Sequence, residues 1–285
     1  MKMVALFATA LLGLLFMPVA QAAPARPGPA ASPAPPRWAS QRVMELDPTG
    51  SGRAVVALGD PSRARHIAVI VPGVGINLGT FDEPGRPERR PFGMAQAVRG
   101  LAPDTAVIAW LGYRPPSRLN LDAVGGDRAR QGAAALRAFV GRLRARAVPG
   151  ATIGVICHSY GTTVCGLAAA GLPVDDLALL ASPGVRADHV ADLHTRARVW
   201  AGTAEDDWIR WVPHIRIGDW GHGPDPAERE FGARPLPTAG VRGHDGYFAP
   251  DSVTLRALAA IAAGRFGTAP RPIGPANRPS LLAAP

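Results

Sequence analysis

The sequence predicts an α/β fold in which a mostly parallel sheet is covered by helices on both faces. Two features of the chain point to this class. Short apolar segments alternate with segments of helical periodicity, which is the pattern of repeated strand–helix units. The strand-like segments are themselves strongly apolar, as expected for parallel strands that are buried on both faces.

The predicted elements follow in chain order. Strands are expected at residues 53–58, 66–71, 106–110, 153–158, 177–180 and 197–201. Helices are expected at residues 92–101, 126–147, 160–171 and 252–263. The apolar face of the long second helix includes Leu136, Phe139 and Leu143. In sheets of this type ligands bind beyond the carboxyl ends of the strands, so the loops after strands are where chemistry is expected.

Both ends of the chain differ in composition from its centre. Residues 1–22 contain Lys2, an apolar run and a small-residue ending at Ala22, which predicts a Sec-type signal peptide, cleavage near Ala22 and a secreted protein. Residues 23–37 predict a Pro/Ala-rich linker and residues 269–285 a Pro-rich tail. A single folded domain is therefore expected at residues 38–268.

The chain of 285 residues has a formal net charge of +9. Lys2 is the only lysine, and the arginines are spread along the chain, whereas a nucleic-acid-binding protein would cluster its charge beside aromatic residues. The densest group, Arg137, Arg142, Arg144 and Arg146, is interpreted as the solvated face of a helix. No nucleic-acid partner is predicted and a monomer is expected, although positive charge favours association with an anionic cell envelope.

The stretch Cys157-His158-Ser159-Tyr160-Gly161 joins a predicted strand to a predicted helix by a sharp turn. This is the arrangement of a nucleophile elbow, where a strained turn holds a serine hydroxyl above the sheet. Gly161 fills the later small position of the G-x-S-x-G pattern, and Cys157 stands at the earlier one. The other interpretation is an ordinary turn with a capping serine. Ser159 is the predicted nucleophile.

An acidic loop, Glu205-Asp206-Asp207, follows the last predicted central strand. A serine nucleophile needs a base, and the base needs a carboxylate that fixes its tautomer. In a fold with a nucleophile elbow these groups follow in the order Ser, acid, His. Asp207 is the predicted acid because Trp208 and Ile209 would pack beside it, and Asp206 is the alternative.

Seven histidines compete for the role of base. Five of them are set aside as structural or as wrongly placed in the chain order: His66, His158, His189, His194 and His214. His222 and His244 remain, and both lie in glycine-flanked loops. His244 precedes the last predicted helix, which is where the base belongs in this fold, so it is preferred over His222.

An oxyanion needs two backbone N–H donors. The residue after the nucleophile, Tyr160, supplies one at a helix N-terminus. The loop after the strand at residues 66–71 supplies the other, with Val74 preferred and Gly75 as the alternative. The glycines of this loop lack the third glycine of a dinucleotide site, and no His or Cys cluster has metal-ligand spacing. No cofactor and no metal are predicted.

The two cysteines, Cys157 and Cys165, are expected to remain free thiols. Cys157 ends a predicted buried strand, and Cys165 lies about one and a half turns into the following helix. Their side chains are expected to point into different packing environments, so both are interpreted as small buried apolar residues.

The combined motifs resemble a family of actinobacterial α/β-hydrolases catalogued as a domain of unknown function, DUF1023. The resemblance is carried by Val71-Pro72-Gly73-Val74-Gly75, Trp110-Leu111-Gly112-Tyr113-Arg114-Pro115-Pro116, His158-Ser159-Tyr160-Gly161, Ala181-Ser182-Pro183-Gly184, Asp207-Trp208-Ile209 and Gly243-His244-Asp245-Gly246-Tyr247-Phe248. It covers most of the expected domain and implies an α/β-hydrolase fold with Ser159 as nucleophile, His244 as base and Asp207 as acid. The family usually has Gly where this chain has Cys157.

The expected function is that of a secreted serine hydrolase. It would cleave an ester of a small or medium acyl group, a small-molecule or lipid-like substrate, through an acyl-enzyme on Ser159. A peptidase or amidase would use the same residues, and a lipase would want an apolar lid, for which the loop at residues 81–91 is too polar. A catalytically silent module that binds the cell envelope is the alternative from another class, because fold alone does not fix function.

Overall fold

The computed structural model describes residues 35–266. The predicted signal peptide, most of the predicted linker and the predicted tail lie outside the described residues, and the domain boundaries stay predictions. No helix within residues 35–266 has the length and apolar character that a membrane span requires.

The described residues form ten strands and five α-helices. The strands are Arg42–Asp47 (β1), Arg53–Leu58 (β2), His66–Val71 (β3), Ala106–Leu111 (β4), Thr152–His158 (β5), Asp176–Leu180 (β6), Arg198–Gly202 (β7), Arg216–Ile217 (β8), Trp220–Gly221 (β9) and Arg234–Pro235 (β10). The helices are Pro91–Leu101 (α1), Leu121–Val124 (α2), Asp127–Arg146 (α3), Tyr160–Ala168 (α4) and Val253–Ala262 (α5).

Eight strands form one sheet in the order β1-β2-β4-β3-β5-β6-β7-β10, and β8 and β9 form a separate hairpin. In this order, all neighbouring strands from β4 through β3, β5, β6 and β7 to β10 are parallel, whereas β1 and β4 each pair with β2 in the antiparallel direction. The predicted mostly parallel sheet is therefore confirmed. Its parallel strands end at one edge, so the loops after β3, β5 and β7 meet there.

Helices cover both faces of the sheet because alternate residues of each central strand enter different apolar layers. In β3, Ile67 and Val69 join the layer that contains α3 and α4. Their neighbours Ala68 and Ile70 join the layer that contains α1 and α5. All four are buried, which explains why the central strands read as continuous apolar runs.

The predicted strands at residues 53–58 and 66–71 match β2 and β3 residue for residue. Helix α4 ends at Ala168, three residues before its predicted end, and the backbone of Gly171 has a φ of 76° that no helix continues through. The sequence did not predict β1, which is mostly exposed, or the two-residue strands β8, β9 and β10. An exposed edge strand and a two-residue strand carry no apolar pattern.

The expectation of two free cysteines is wrong, because Cys157 and Cys165 form a disulfide. The sharp turn at Ser159 carries α4 back over the same face of the sheet to which the Cys157 side chain points. Both residues lie in the apolar layer with α3 and α4, and their Cα atoms are 6.6 Å apart, within the range that a disulfide spans.

Candidate active site

Ser159 occupies the turn between β5 and α4 in a strained backbone conformation, with φ 55° and ψ −132°. A non-glycine residue rarely takes a positive φ. The neighbouring glycines let the turn approach the loop after β3. A Cβ on Gly161 would lie 2.5 Å from the carbonyl oxygen of Val71, and a Cβ on Gly73 would lie 2.7 Å from the Cβ of Ser159. The predicted nucleophile elbow therefore has the geometry of one.

A continuous chain of hydrogen bonds joins the three predicted side chains. The Ser159 hydroxyl donates to His244 Nε2 at 2.9 Å, and His244 Nδ1 donates to Asp207 Oδ1 at 2.8 Å. These residues come from the loops after β5 and β7 and from the loop before α5. The arrangement has the connectivity of a nucleophile, a base and an orienting acid.

Asp207 is buried and each of its carboxylate oxygens has partners. Oδ1 also accepts from the backbone N–H of Ile209 at 2.9 Å, and Oδ2 accepts from the Tyr247 hydroxyl at 2.7 Å. Burial alone would raise the pKa of Asp207, but the hydrogen bonds from His244, Ile209 and Tyr247 outweigh it and hold the pKa below its ordinary value. Asp207 therefore remains a carboxylate at neutral pH.

The alternative acid, Asp206, has a different place. Its Oδ1 accepts from the backbone N–H of Gly243 at 3.0 Å, so it braces the loop that carries His244 from outside. The structure thus brings Asp207, and not Asp206, to the imidazole of His244.

The ring of His244 is held between two other rings. Its centroid lies 4.5 Å from that of Trp208 and 4.9 Å from that of His158. His158 Nε2 also donates to the backbone carbonyl of His244 at 2.7 Å. Burial, with the nearby His244, lowers the pKa of His158 to about 4. His158 is therefore a neutral donor that fixes the position of the His244 backbone.

His222, the alternative base, makes no hydrogen bond to the Ser159 hydroxyl. Its Nε2 donates to the carbonyl oxygen of Ala123 at 2.6 Å, and its ring packs edge-on against that of Tyr160. Burial lowers the pKa of His222. His222 therefore connects the loop after β9 to α2. His244, and not His222, is hydrogen-bonded to the Ser159 hydroxyl.

The two predicted oxyanion donors flank Ser159. Tyr160 begins α4, and the first N–H groups of a helix have no partner within it. Neither the Tyr160 N–H nor the Val74 N–H has a hydrogen-bond acceptor among the described residues. Gly75, the alternative to Val74, already donates to the carbonyl oxygen of Pro116 at 2.9 Å. The geometry therefore favours Val74.

Ser159 lies between two cavities of different character. A cleft of about 660 Å³ opens on one side, with walls that are almost entirely apolar. A smaller cavity of about 230 Å³ lies on the other side, where Arg89, Arg90, Asp245 and His244 line it. Val74 and Ser159 belong to the walls of both. Across residues 35–266, no group of three or more His, Cys, Asp or Glu residues is placed to hold a metal ion.

Three parts of this site were not predicted from the sequence: the Tyr247 hydroxyl on Asp207, the His158 donor to His244, and the apolar cleft. Tyr247 and His158 both stand in motifs that carry the family resemblance, which was the available signal. The cleft gave none, because α2 and the segment around β8 and β9 are far apart in the chain.

The fold and the Ser159–His244–Asp207 arrangement define an α/β-hydrolase. A family model described as an alpha/beta hydrolase matches residues 47–217, which is more than half of the chain. The protein belongs to the alpha/beta hydrolase family. The matched range includes Ser159 and Asp207 and ends before His244.

Two uncharacterized proteins of Mycobacterium tuberculosis, from two strains, are each 32% identical to this chain over 246 residues. The match covers 75% of this chain and 37% of each relative. The chain therefore spans little more than a third of the length of the curated relatives it matches.

Solved structures are also similar to the chain. A serine hydrolase of Xanthomonas campestris, described as lacking a lid, has a TM-score of 0.44 and 21% identity, over 83% of this chain and 100% of the other. The esterase LipW of Mycobacterium marinum has a TM-score of 0.46 and 14% identity, over 81% and 83%. An esterase of Thermogutta terrifontis has a TM-score of 0.47 and 12% identity, over 82% and 98%.

Proposed function

We propose that the protein is a serine ester hydrolase that works through an acyl-enzyme on Ser159. The observation that carries the proposal is the unbroken hydrogen-bond chain from Ser159 through His244 to Asp207. It lies at the mouth of an apolar cleft and beside two free backbone N–H groups. A catalytically silent binding module would have no need to keep all of these elements together.

The proposed reaction begins with attack of Ser159 Oγ on the carbonyl carbon of the ester, while His244 Nε2 takes the hydroxyl proton. Asp207 holds His244 in the tautomer that presents a free Nε2 and stabilises the imidazolium that forms. The N–H groups of Tyr160 and Val74 receive the oxyanion. His244 then returns the proton to the departing alcohol, and water releases the acyl group by the same steps in reverse order.

An ester is favoured over a peptide because the larger cleft offers few polar groups. A peptide substrate brings backbone N–H and C=O groups that need partners when they are buried. The side chains of the cleft wall are mainly Leu, Val, Ile, Trp and Pro. An acyl chain brings no polar group of its own that such a wall would leave without a partner.

The proposal includes export, on the support of the predicted signal peptide at residues 1–22. The Cys157–Cys165 disulfide supports the same compartment, because disulfides persist in oxidising surroundings outside the cytosol. Membership of the narrower DUF1023 group and association with the cell envelope remain part of the proposal, on the motifs and the net positive charge given above.

Fluorophosphonate labelling tests the catalytic proposal. We expect the wild-type protein to gain one covalent adduct by intact mass and the Ser159→Ala variant to gain none. A folded wild-type protein that stays unlabelled and hydrolyses no p-nitrophenyl ester would contradict the proposal.

The assignment of the base is tested by His244→Ala and His222→Ala. We expect the first to lower kcat by about 10⁴-fold or more and the second to change it far less. The reverse order of effects would overturn the assignment of His244.

A further inference from the structure

Of the two cavities beside Ser159, one has His244 in its wall and the other does not. The smaller cavity includes His244 and its neighbour Asp245 in its wall. The larger cleft includes neither, and its wall runs from Ser159 and Tyr160 towards α2 and the β8–β9 hairpin. An ester that reacts at Ser159 therefore has one side towards His244 and the other towards the apolar cleft.

The chemistry of the proposed reaction decides which side is which. The departing alcohol oxygen must receive its proton from His244 Nε2, so it lies on the side of His244. The acyl chain leaves the carbonyl carbon in the other direction. The alcohol therefore occupies the smaller cavity and the acyl chain occupies the larger cleft.

The larger cleft has the surface of an acyl-chain site. Its apolar wall residues include Leu121, Val124, Val212, Ile215, Ile217 and Trp220. Leu121 and Ile217 are each 72% exposed. Large apolar side chains that are exposed together on one surface usually mark a binding site. A volume of about 660 Å³ lies in the range of pockets that enclose most of a drug-sized ligand.

Contacts between the two walls of the cleft fix their positions relative to each other. His222 Nε2 donates to the Ala123 carbonyl at 2.6 Å, and Gly125 forms a β-bridge with Trp220. Asp219, at the turn of the β8–β9 hairpin, accepts hydrogen bonds from Arg130 on α3 and from Arg186. The cleft is therefore formed before a ligand arrives, which lowers the cost of binding.

The smaller cavity is polar, and both arginines in its wall are paired with carboxylates. Arg89 is paired with Asp245, and Arg90 is paired with Glu83. An anionic alcohol would have to compete with these carboxylates, whereas hydroxyl groups can hydrogen-bond to the paired groups as they stand. The cavity has about a third of the volume of the cleft. It therefore suits a compact and neutral alcohol with several hydroxyl groups.

We propose that the substrate is an ester that joins an apolar acyl chain, bound in the larger cleft, to a compact, neutral, hydroxyl-rich alcohol bound beside His244. This inference rests on the proposed function and deepens it by naming a substrate class. It also extends the acyl group beyond the small or medium size expected from the sequence.

Two ester series test the proposal with the full chain at substrate concentrations that keep the esters monomeric. One series is 1-butanoyl-, 1-octanoyl- and 1-dodecanoylglycerol, and the other is the ethyl esters of the same acids. We expect kcat/KM to rise about two- to fourfold per methylene between butanoyl and octanoyl. At equal acyl length, we expect the glyceryl ester to exceed the ethyl ester by about tenfold.

Matched variants separate the two sites. Leu121→Asp should lower the ratio of octanoyl to butanoyl kcat/KM at least about tenfold, since it places a charge in the apolar wall. Leu101→Asp changes an exposed leucine at the end of α1 and should leave that ratio unchanged. Arg90→Gln should lower the ratio of glyceryl to ethyl ester, while Arg86→Gln, in the same loop but outside the cavity wall, should not.

Fluorophosphonate labelling of each protein distinguishes the possible failures. If Ser159 is labelled but kcat/KM is flat or falling with acyl length, or ethyl esters are preferred, the substrate class is wrong and the proposed function stands. If the folded protein is neither labelled nor active on any ester, both proposals are overturned.

Discussion

Replacement of Tyr247 by Phe removes one buried hydroxyl that has two partners. The hydroxyl donates to Asp207 Oδ2 and accepts from the backbone N–H of Ala204, each at 2.7 Å. A hydrogen bond to a charged group contributes about 1.5–3 kcal/mol, and the orphaned N–H adds a further cost. We therefore expect Tyr247→Phe to lower the free energy of unfolding by about 2–4 kcal/mol.

The same change should lower kcat about ten- to hundredfold. Without the Tyr247 donor, Asp207 is less firmly oriented towards His244, and 1.36 kcal/mol corresponds to a tenfold change in rate. The pKa of Asp207 should also rise, because a donor that favours the carboxylate has been lost. The folded protein then gains less from an ionised Asp207 at neutral pH.

The assay compares urea unfolding and ester turnover in wild type, Tyr247→Phe and the control Thr254→Val. Thr254 donates to the Pro237 carbonyl and makes no hydrogen bond to Asp207. The destabilisation by Tyr247→Phe should be smaller at a pH well below the ordinary Asp pKa of about 3.9 than at pH 7, because protonation of Asp207 removes the charge that the Tyr247 hydroxyl stabilises. Equal destabilisation at both pH values, with kcat unchanged, would contradict the role of the Tyr247 hydroxyl as a donor to the Asp207 carboxylate.

Three further predictions concern the elbow and its surroundings. Gly161→Ala should cost about 1–3 kcal/mol of stability and lower kcat, because its Cβ would displace the carbonyls of Val71 and Pro72, which precede the oxyanion donor Val74. Gly141→Ala on α3 is the control: its Cβ would meet no atom within 4 Å, so it should be neutral or stabilising. Removal of the disulfide by Cys157→Ala with Cys165→Ala should cost about 2.5 kcal/mol in urea unfolding and make stability insensitive to reductant. Burial lowers the pKa of His158 in the folded protein to about 4, whereas in the unfolded chain this histidine takes up a proton as pH falls below about 6.5. The free energy of unfolding should therefore decline as pH falls from about 6.5 towards 4. In the His158→Gln variant this decline should be less steep.

The sequence predicted the central sheet because each parallel strand must be apolar on both faces. β3 is such a segment, and β2, although antiparallel to both of its neighbours, is buried along most of its length as well. The bounds of both strands follow from the charged and glycine residues around them. The positions of Ser159, Asp207 and His244 follow from the same pattern, since each lies in a loop at the sheet edge where parallel strands end. Local pattern and chain order are sufficient to nominate those three residues.

The parts that could not be predicted depend on which way a side chain points after the chain has turned. Cys157 and Cys165 face one another only because the elbow reverses the chain over one face of the sheet. Tyr247 reaches Asp207 across forty residues of sequence. Neither the Cys157–Cys165 pairing nor the Tyr247–Asp207 hydrogen bond produces a periodic pattern or a local composition that could be detected in the sequence.

The elbow itself explains why Cys157 is tolerated where the common pattern has glycine. A residue in a strained conformation keeps it only when the surrounding structure fixes it in several ways. The Ser159 carbonyl accepts from both the N–H and the hydroxyl of Thr162, and that hydroxyl is hydrogen-bonded to Ser182 in the loop after β6. The disulfide adds a covalent tie between the strand before the turn and the helix after it. Cys157 therefore occupies the position of the missing glycine and forms a cross-link on the face where α4 packs. Gly161 and Gly73 keep the close approach between the elbow and the loop after β3.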